Sequence, residues 1–319
     1  MMIIRACYHI FLSTKNPVNL TTARASLTQI LSVVFLRMEN ACETMRLTGM
    51  DAKLLSKDAP KEKSSYEICH DITVNIVEMI PKFSSHHPEE LKILDVGKYG
   101  ACTFCAQSAD FYDVDSQDPF CSLLCRRKFL ASKQSLESTL TLKKARLFLH
   151  DVLVVFRALC KLCGKAITSS TDIIGSRSKT LSLELLLHVI EKSGPTFRTQ
   201  EIFVDAIREH LIMGLLKNCV STDVDVFRLS VSIFASLIAG FRSNLKAEIG
   251  AILDNIFLKI GASGNSSFNQ RVLVLEVLCK ICQDSESIID IFLNYDCDNS
   301  SSNIYENTVL LLDKIAKGR

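Results

Sequence analysis

The sequence predicts an all-α chain, an armadillo- or HEAT-like helical repeat array with a long, partly disordered linker able to hold a small zinc module. Three observations carry this. Apolar residues recur at i, i+3, i+4 and i+7 through most of the chain, which is the spacing of one helix face. Only 12 Gly and 6 Pro in 319 residues leave few tight turns for a sandwich or barrel. From about residue 136 one amphipathic stretch follows another across short connections, the rhythm of stacked helical hairpins, although no strict sequence repeat is present.

Residues 3–14 read as a helix that stops near Asn16 and Pro17. The next helix has Thr21 or Thr22 as its cap and a stripe of Leu27, Ile30, Leu31, Val34, Phe35 and Met38. Residues 41–65 are polar and charged and read as the start of the linker. A weaker helix carries Ile68, Ile72, Ile76, Val77 and Ile80 and breaks at Pro81; residues 81–101 are loop-like. Further on, Phe148, Val152, Val155, Phe156 and Leu159 form one stripe, and Leu181, Leu185, Leu186 and Val189 a second, closed by Gly194 and Pro195. Thr199 is the expected cap of a helix with Phe203, Ile207, Leu211 and Leu215. The stripes after it are Phe227, Val231, Phe234 and Ile238, then Ile249, Ile252, Ile256 and Ile260, then Val272, Leu275, Leu278 and Cys282. The pentad Asn294, Tyr295, Asp296, Cys297 and Asp298 reads locally as a helix end, because Asn and Asp bond back to nearby backbone. A last helix carries Ile304, Val309, Leu312 and Ile315. The expected divisions are therefore 1–40, a linker over 41–135, and a helical domain over 136–319.

Composition excludes several classes. Hydrophobic residues make up 48% and charged ones 23%, so the chain folds rather than remaining disordered throughout. A net charge of +2 supplies no global field towards nucleic acid or an anionic membrane. No apolar run reaches the ~18 residues that span a bilayer. Arg5 and His9 interrupt the apolar start, so no secretory signal is expected, and the 13 cysteines read as reduced thiols rather than a disulfide framework.

Cysteine spacing has the clearest chemical content. Cys102-x2-Cys105 and Cys121-x3-Cys125 are two short pairs fifteen residues apart, the arrangement that gives zinc four soft ligands on separate turns. Free thiols in a flexible insertion are the alternative. Four thiolates would leave no open coordination position, so a catalytic metal is not expected. Cys160/Cys163 and Cys279/Cys282 lie three apart within helical sequence and read as small buried hydrophobes. His70, His86, His87, His150, His188 and His210 are scattered without a nucleophile elbow, P-loop or zinc-protease pattern. Arg126, Arg127 and Lys128, like Lys143, Lys144 and Arg146, read as solvated faces, with phosphate contact as the alternative.

Two resemblances extend this reading. CxxC followed by Pro119, Phe120, Cys121, Ser122 and Cys125 resembles FCS-type zinc fingers and small bacterial zinc ribbons, which implies a structural zinc on Cys102, Cys105, Cys121 and Cys125. Residues 5–16, 21–29 and 34–40 resemble the last helices of the dimerisation domain of large, brefeldin A-inhibited Arf guanine nucleotide-exchange factors of the trans-Golgi. Residues 156–162, 176–179, 194–199, 294–298 and 315–319 resemble the homology region upstream of that family's catalytic exchange domain. The resemblance implies a non-catalytic regulatory scaffold, since the chain stops before the exchange domain would begin. Implied partners are the dimerisation and exchange domains of a full-length protein, Arf-family GTPases and, peripherally, the trans-Golgi membrane from the cytoplasmic side; no nucleic acid is expected. It also implies that Asn294–Asp298 packs against the dimerisation domain. A zinc-containing adaptor that binds nucleic acid or another protein through Arg126, Arg127 and Lys128 is the alternative function.

Overall fold

The computed structural model describes residues 2–47, 100–109, 111–113, 118–166, 172–221, 223–298 and 302–318. The helix expected around Ile68–Ile80, most of the loop after it, and His70, His86 and His87 lie outside the described residues. The chain divides into two compact units, one of Met1–Asn40 with Phe148–Arg319 and one of Ala41–Leu147.

The first helices are α1 (Met2–Ser13) and α2 (Pro17–Leu47). The Asn16 side-chain oxygen, not Thr21 or Thr22, caps α2, accepting from the Val18 N–H at 2.9 Å. Pro17 can follow directly because the first turn of a helix needs no N–H there. The α2 stripe is Ala23, Leu27, Leu31, Phe35 and Met38, all buried. It continues through buried Cys42 and Met45, which is why the helix runs past residue 41, where the linker was expected.

After the cysteine segment, α3 (Leu123–Cys163) is unbroken for 41 residues and starts well before residue 136. Neither Gly nor Pro interrupts it, and the Ser122 hydroxyl accepts from the Cys125 N–H at 3.2 Å at its start. Then follow α4 (Ile173–Glu191), capped by the Asp172 carboxylate, and the single turn α5 (Pro195–Thr199). α6 (Glu201–Ala206) runs through a π-helical turn (Ile207–Leu211) into α7 (Ile212–Asn218). α8 (Val224–Gly240) is capped by Asp223. α9 (Lys246–Ile252) passes through a π turn (Leu253–Leu258) into α10 (Lys259–Ala262). A Ser267/Gln270 capping box opens α11 (Phe268–Gln283). α12 (Ser285–Ile291) ends in a third π turn (Phe292–Asp296), and α13 (Ile304–Ala316) closes the series.

In the larger unit α4 packs on α8, α8 on α11, and α13 on the π turns of α9 and α12. This is an all-α helical-repeat arrangement, as expected. Phe197 on α5 lies at its centre. Its ring meets those of Phe35, Phe156 and Phe203 at 5.3, 5.3 and 4.7 Å, and that of Phe241 at 6.1 Å.

Some local expectations are corrected. Gln200, without a side-chain bond, precedes α6, while the Thr199 hydroxyl donates back to the Pro195 carbonyl at 2.8 Å. The buried face of α11 is Val274, Val277, Leu278 and Ile281; Val272 and Leu275 are half-buried and Cys282 is exposed. On α13, Ile304 and Leu311 are buried while Val309 and Ile315 are exposed. α11 carries apolar residues on nearly every side, so periodicity alone does not choose the face that packs, while Ile315 lies in the last turn of α13 on the same side as Ile304. Consequently Cys279 and Cys282 are exposed thiols, not core, whereas Cys160 and Cys163 are buried as expected.

Candidate functional site

The cysteine segment is built from a knuckle, a hairpin and a helix start. In the knuckle the Cys102 N–H donates to the Gln107 carbonyl at 2.7 Å, and the Ala106 N–H returns to the Cys102 carbonyl at 2.9 Å. Ala106 holds φ at +61°, the left-handed region that a residue with a Cβ adopts only at a cost. The hairpin pairs β1 (Phe111–Asp113) with β2 (Asp118–Phe120), Phe111 opposite Phe120, and the Thr103 N–H ties the knuckle to it through the Pro119 carbonyl at 2.9 Å. Phe120 is fully buried, its ring 5.5 Å from that of Phe129 on α3. Cys121 leaves the hairpin and Cys125 sits in the first turn of α3.

This brings all four sulfurs within 4.8 Å of one another. The Sγ distances are 3.4 Å for Cys105–Cys121, 3.5 Å for Cys121–Cys125 and 3.8 Å for Cys105–Cys125. A tetrahedron of thiolates around zinc, with Zn–S of ~2.3 Å, has sulfur–sulfur edges of about 3.8 Å. A disulfide needs about 2.05 Å. The cluster therefore fits one soft dication and not a pair of bridges. Burial pushes the Cys102 thiol up, but the backbone N–H groups of Cys105, Cys121 and Phe104 outweigh it and hold the thiol at about 6. Cys121 is pushed up to about 12 because its sulfur shares hydrogen bonds with Cys105 and Cys125. Four adjacent thiols cannot all ionise without a cation between them.

The other expected site residues lie in the larger unit. Tyr295 is buried in the third π turn; its hydroxyl donates to the Lys246 carbonyl at 2.7 Å, and burial pushes its pKa up to about 12. Gly250 on α9 makes room for it, since a Cβ there would stand 2.7 Å from the Tyr295 ring. Both Asp296 carboxylate oxygens accept from the start of α13, from the Tyr305 N–H at 2.8 Å and the Glu306 N–H at 2.9 Å. Asp298 meets Lys246 at 3.4 Å, Asn294 is half-buried, and Cys297 is exposed. The pentad thus pins α9, α12 and α13 together. The Asp296 oxygens, which could otherwise receive N–H groups from a docked helix, are taken by the chain's own α13.

One residue that sequence reasoning missed does link distant segments. Glu39, near the end of α2, accepts from the Thr196 and Phe197 N–H groups, each at 2.9 Å, and so caps α5 from across the fold. The α5 N-cap is Gly194, which has no side chain to do this. A Cβ at Gly194 would lie 2.5 Å from the Glu39 carboxyl carbon, so the absence of that Cβ is what lets the carboxylate in. A helix that begins Gly-Pro without its own acceptor was the available clue. Three further contacts run along the same seam. The Tyr8 hydroxyl donates to the Ser178 carbonyl at 2.9 Å, Arg24 meets Glu184 at 3.2 Å, and Ser32 bonds His188 at 2.8 Å. Close to it, buried Lys179 donates to Asn218 at 2.9 Å and Asn218 to the Cys163 carbonyl at 3.2 Å; burial lowers the Lys179 pKa.

The larger unit is thus a helical-repeat domain whose N-terminal helices are clamped along one seam. Residues 148–304 match the Sec7-like HUS family, described as the Mon2/Sec7/BIG1-like HUS domain. The chain is 38% identical to brefeldin A-inhibited guanine nucleotide-exchange protein 2 of Arabidopsis thaliana, over 100% of this chain and 19% of that protein. It is 34% identical to protein 3 of Arabidopsis thaliana, over 100% of the chain and 19% of the relative. Against protein 1 of Rattus norvegicus it is 30% identical, over 99% of the chain and 22% of the relative. The chain belongs to this family of large brefeldin A-inhibited exchange proteins and corresponds to its N-terminal, HUS-containing region. It spans about a fifth of the length of the curated relatives it matches. Among the described residues no helix is long and apolar enough to cross a membrane.

Proposed function

We propose that this chain is a non-catalytic regulatory and protein-interaction scaffold of an Arf guanine nucleotide-exchange factor that acts in Golgi vesicle trafficking. It works in the cytoplasm, peripherally on the trans-Golgi membrane, with Arf-family GTPases and the dimerisation and exchange domains of the full-length protein as partners. The observation that supports this most is the HUS match over 148–304, on a unit whose N-terminal helices are held to it by the Glu39 cap. In this reading residues 1–40 are the end of a dimerisation-type domain, 41–135 a linker with the cysteine module, and 136–319 the HUS-type domain. Retention of the purified chain on immobilised Arf-family GTPases is the expected result; no retention in either nucleotide state counts against it.

The pentad keeps a docking role through Asn294 and Cys297, while Tyr295, Asp296 and Asp298 are tied to α9 and α13 and shape the turn. Asn294→Ala with Cys297→Ala is expected to weaken capture of a separately expressed dimerisation domain while far-UV helicity stays the same. Equal capture removes the role.

Cys102, Cys105, Cys121 and Cys125 hold a structural zinc, which fastens the knuckle, the hairpin and the start of α3. The sulfur geometry supports it. Elemental analysis should find close to one zinc per chain, and less than about half an equivalent would sink this assignment.

A further inference from the structure

The packing of α11 uses one of its apolar faces and leaves another outward. The helix lies on α8, α10 and α12, and its buried residues are Val274, Val277, Leu278 and Ile281. At ~100° per residue, Phe268, Val272, Leu275, Cys279 and Cys282 fall within a separate arc of about 80°. Phe268 is 73% exposed, Cys279 and Cys282 are exposed, and Val272 and Leu275 are half-buried. These residues follow one another in steps of four, three, four and three, the a/d repeat of a coiled-coil seam. An open groove of about 440 Å³ runs beside it, lined by Val272, Leu275, Glu276, Cys279, Lys280 and Gln283.

The flanking charges select the helix that fits this seam. In the same repeat Arg271 stands at g and Glu276 at e, one on each flank. Among the described residues neither has an ionic partner, and the Arg271 Nε is buried without a hydrogen bond. They are five residues apart, the spacing at which g of one helix meets e of the following heptad on a parallel partner.

We infer that α11 pairs with α11 of a second copy of this chain, parallel and in register about a two-fold axis. Each Arg271 then meets the Glu276 of the other copy, and symmetry makes the contact twice. An antiparallel pair centred on Leu275 would instead set Glu276 against its own counterpart, two like charges side by side. The parallel register also places Cys279 beside Cys279 and Cys282 beside Cys282. The seam covers about four turns of helix, short of the ~1,600 Å² of a standard interface, so the pair is weak and forms by mass action.

The test is sedimentation of the full chain under reducing conditions over roughly 5–200 µM, with diamide cross-linking at the upper end. The mass should rise from one chain towards two. Diamide takes two electrons and two protons from a facing pair of thiols, becomes the hydrazine and leaves one disulfide. Peptide maps should show Cys279–Cys279 or Cys282–Cys282 links, which can form only between copies. Glu276→Arg changes an exposed side chain and should keep the wild-type thermal transition while weakening association roughly tenfold. R271E/E276R exchanges the signs of the pair and should regain most of that loss. A mass that stays at one chain, equal association in Glu276→Arg and wild type, or cross-links that join Cys279 to a different region would overturn the inference. So would a folded R271E/E276R chain that associates as weakly as Glu276→Arg.

Discussion

The helical unit and the cysteine unit are held together by opposite means. The first buries seven phenylalanines completely between Phe156 and Phe257, along with aliphatic stripes from every long helix. Among the described residues of 100–147 in the second, only Cys102, Ala109, Phe120 and Ala145 are buried apolar groups. Burying apolar area is worth roughly 25 cal/mol per Å². The first unit therefore has ample driving force, whereas a module whose described residues bury one large ring gains from a staple. Polar contacts differ accordingly. In the helical unit, Glu39, Asp296 and Tyr295 refine positions that packing already supports. Among the described residues of the cysteine unit, the four clustered cysteines take the place of a larger core.

The largest test of this contrast is metal removal. Chelation, or Cys121→Ser, is expected to unfold the hairpin altogether, since structural zinc supplies on the order of 10–16 kcal/mol to such modules. Amide resonances of residues 102–125 should collapse to unfolded positions while the thermal transition of the helical unit persists. Loss of both transitions together would refute the contrast.

Within the helical unit Phe197→Ala should cost about 3–5 kcal/mol, read from the denaturant midpoint, because the ring touches four other phenylalanines. A cost under about 1 kcal/mol would show that the cluster is not the keystone its position suggests. Glu39→Ala or Gly194→Ala should each cost about 2 kcal/mol, through two lost charge-assisted bonds. The double variant should cost little more than either single one, because both remove the same contact.

The smallest effect separates the two helical cysteine pairs. Cys282→Ser should change stability by less than about 0.5 kcal/mol, and Cys160→Ser by about 1–2 kcal/mol. Burial pushes the Cys160 thiol well up and Cys163 up to about 12. An alkylating reagent at neutral pH should therefore label Cys279 and Cys282 in the folded protein and spare Cys160 and Cys163.

Helix existence was legible wherever apolar residues kept a clear period against polar ones, as in α2, α4 and α8. The face was not legible in α11, where apolar residues crowd several sides, and so Cys279 and Cys282 were misplaced. The cap shifted at α2 because Asn16 and the nearby threonines offer equivalent bonds, and at α6 because the Thr199 hydroxyl turns back to the Pro195 carbonyl of its own short helix. The clustering of the four cysteines was legible because a metal site demands short pairs, a constraint written directly in chain spacing. Glu39 was not, since nothing near residue 39 indicates a helix start more than 150 residues later.

The sequence alone determined that helices would form and that four thiols could meet, because both follow from spacings shorter than a few turns. Only the tertiary structure decided which face of an evenly apolar helix is covered, which carboxylate caps α5, and that Asp296 serves α13. Those choices depend on segments far apart in the chain competing for one contact, and local periodicity carries no record of the winner.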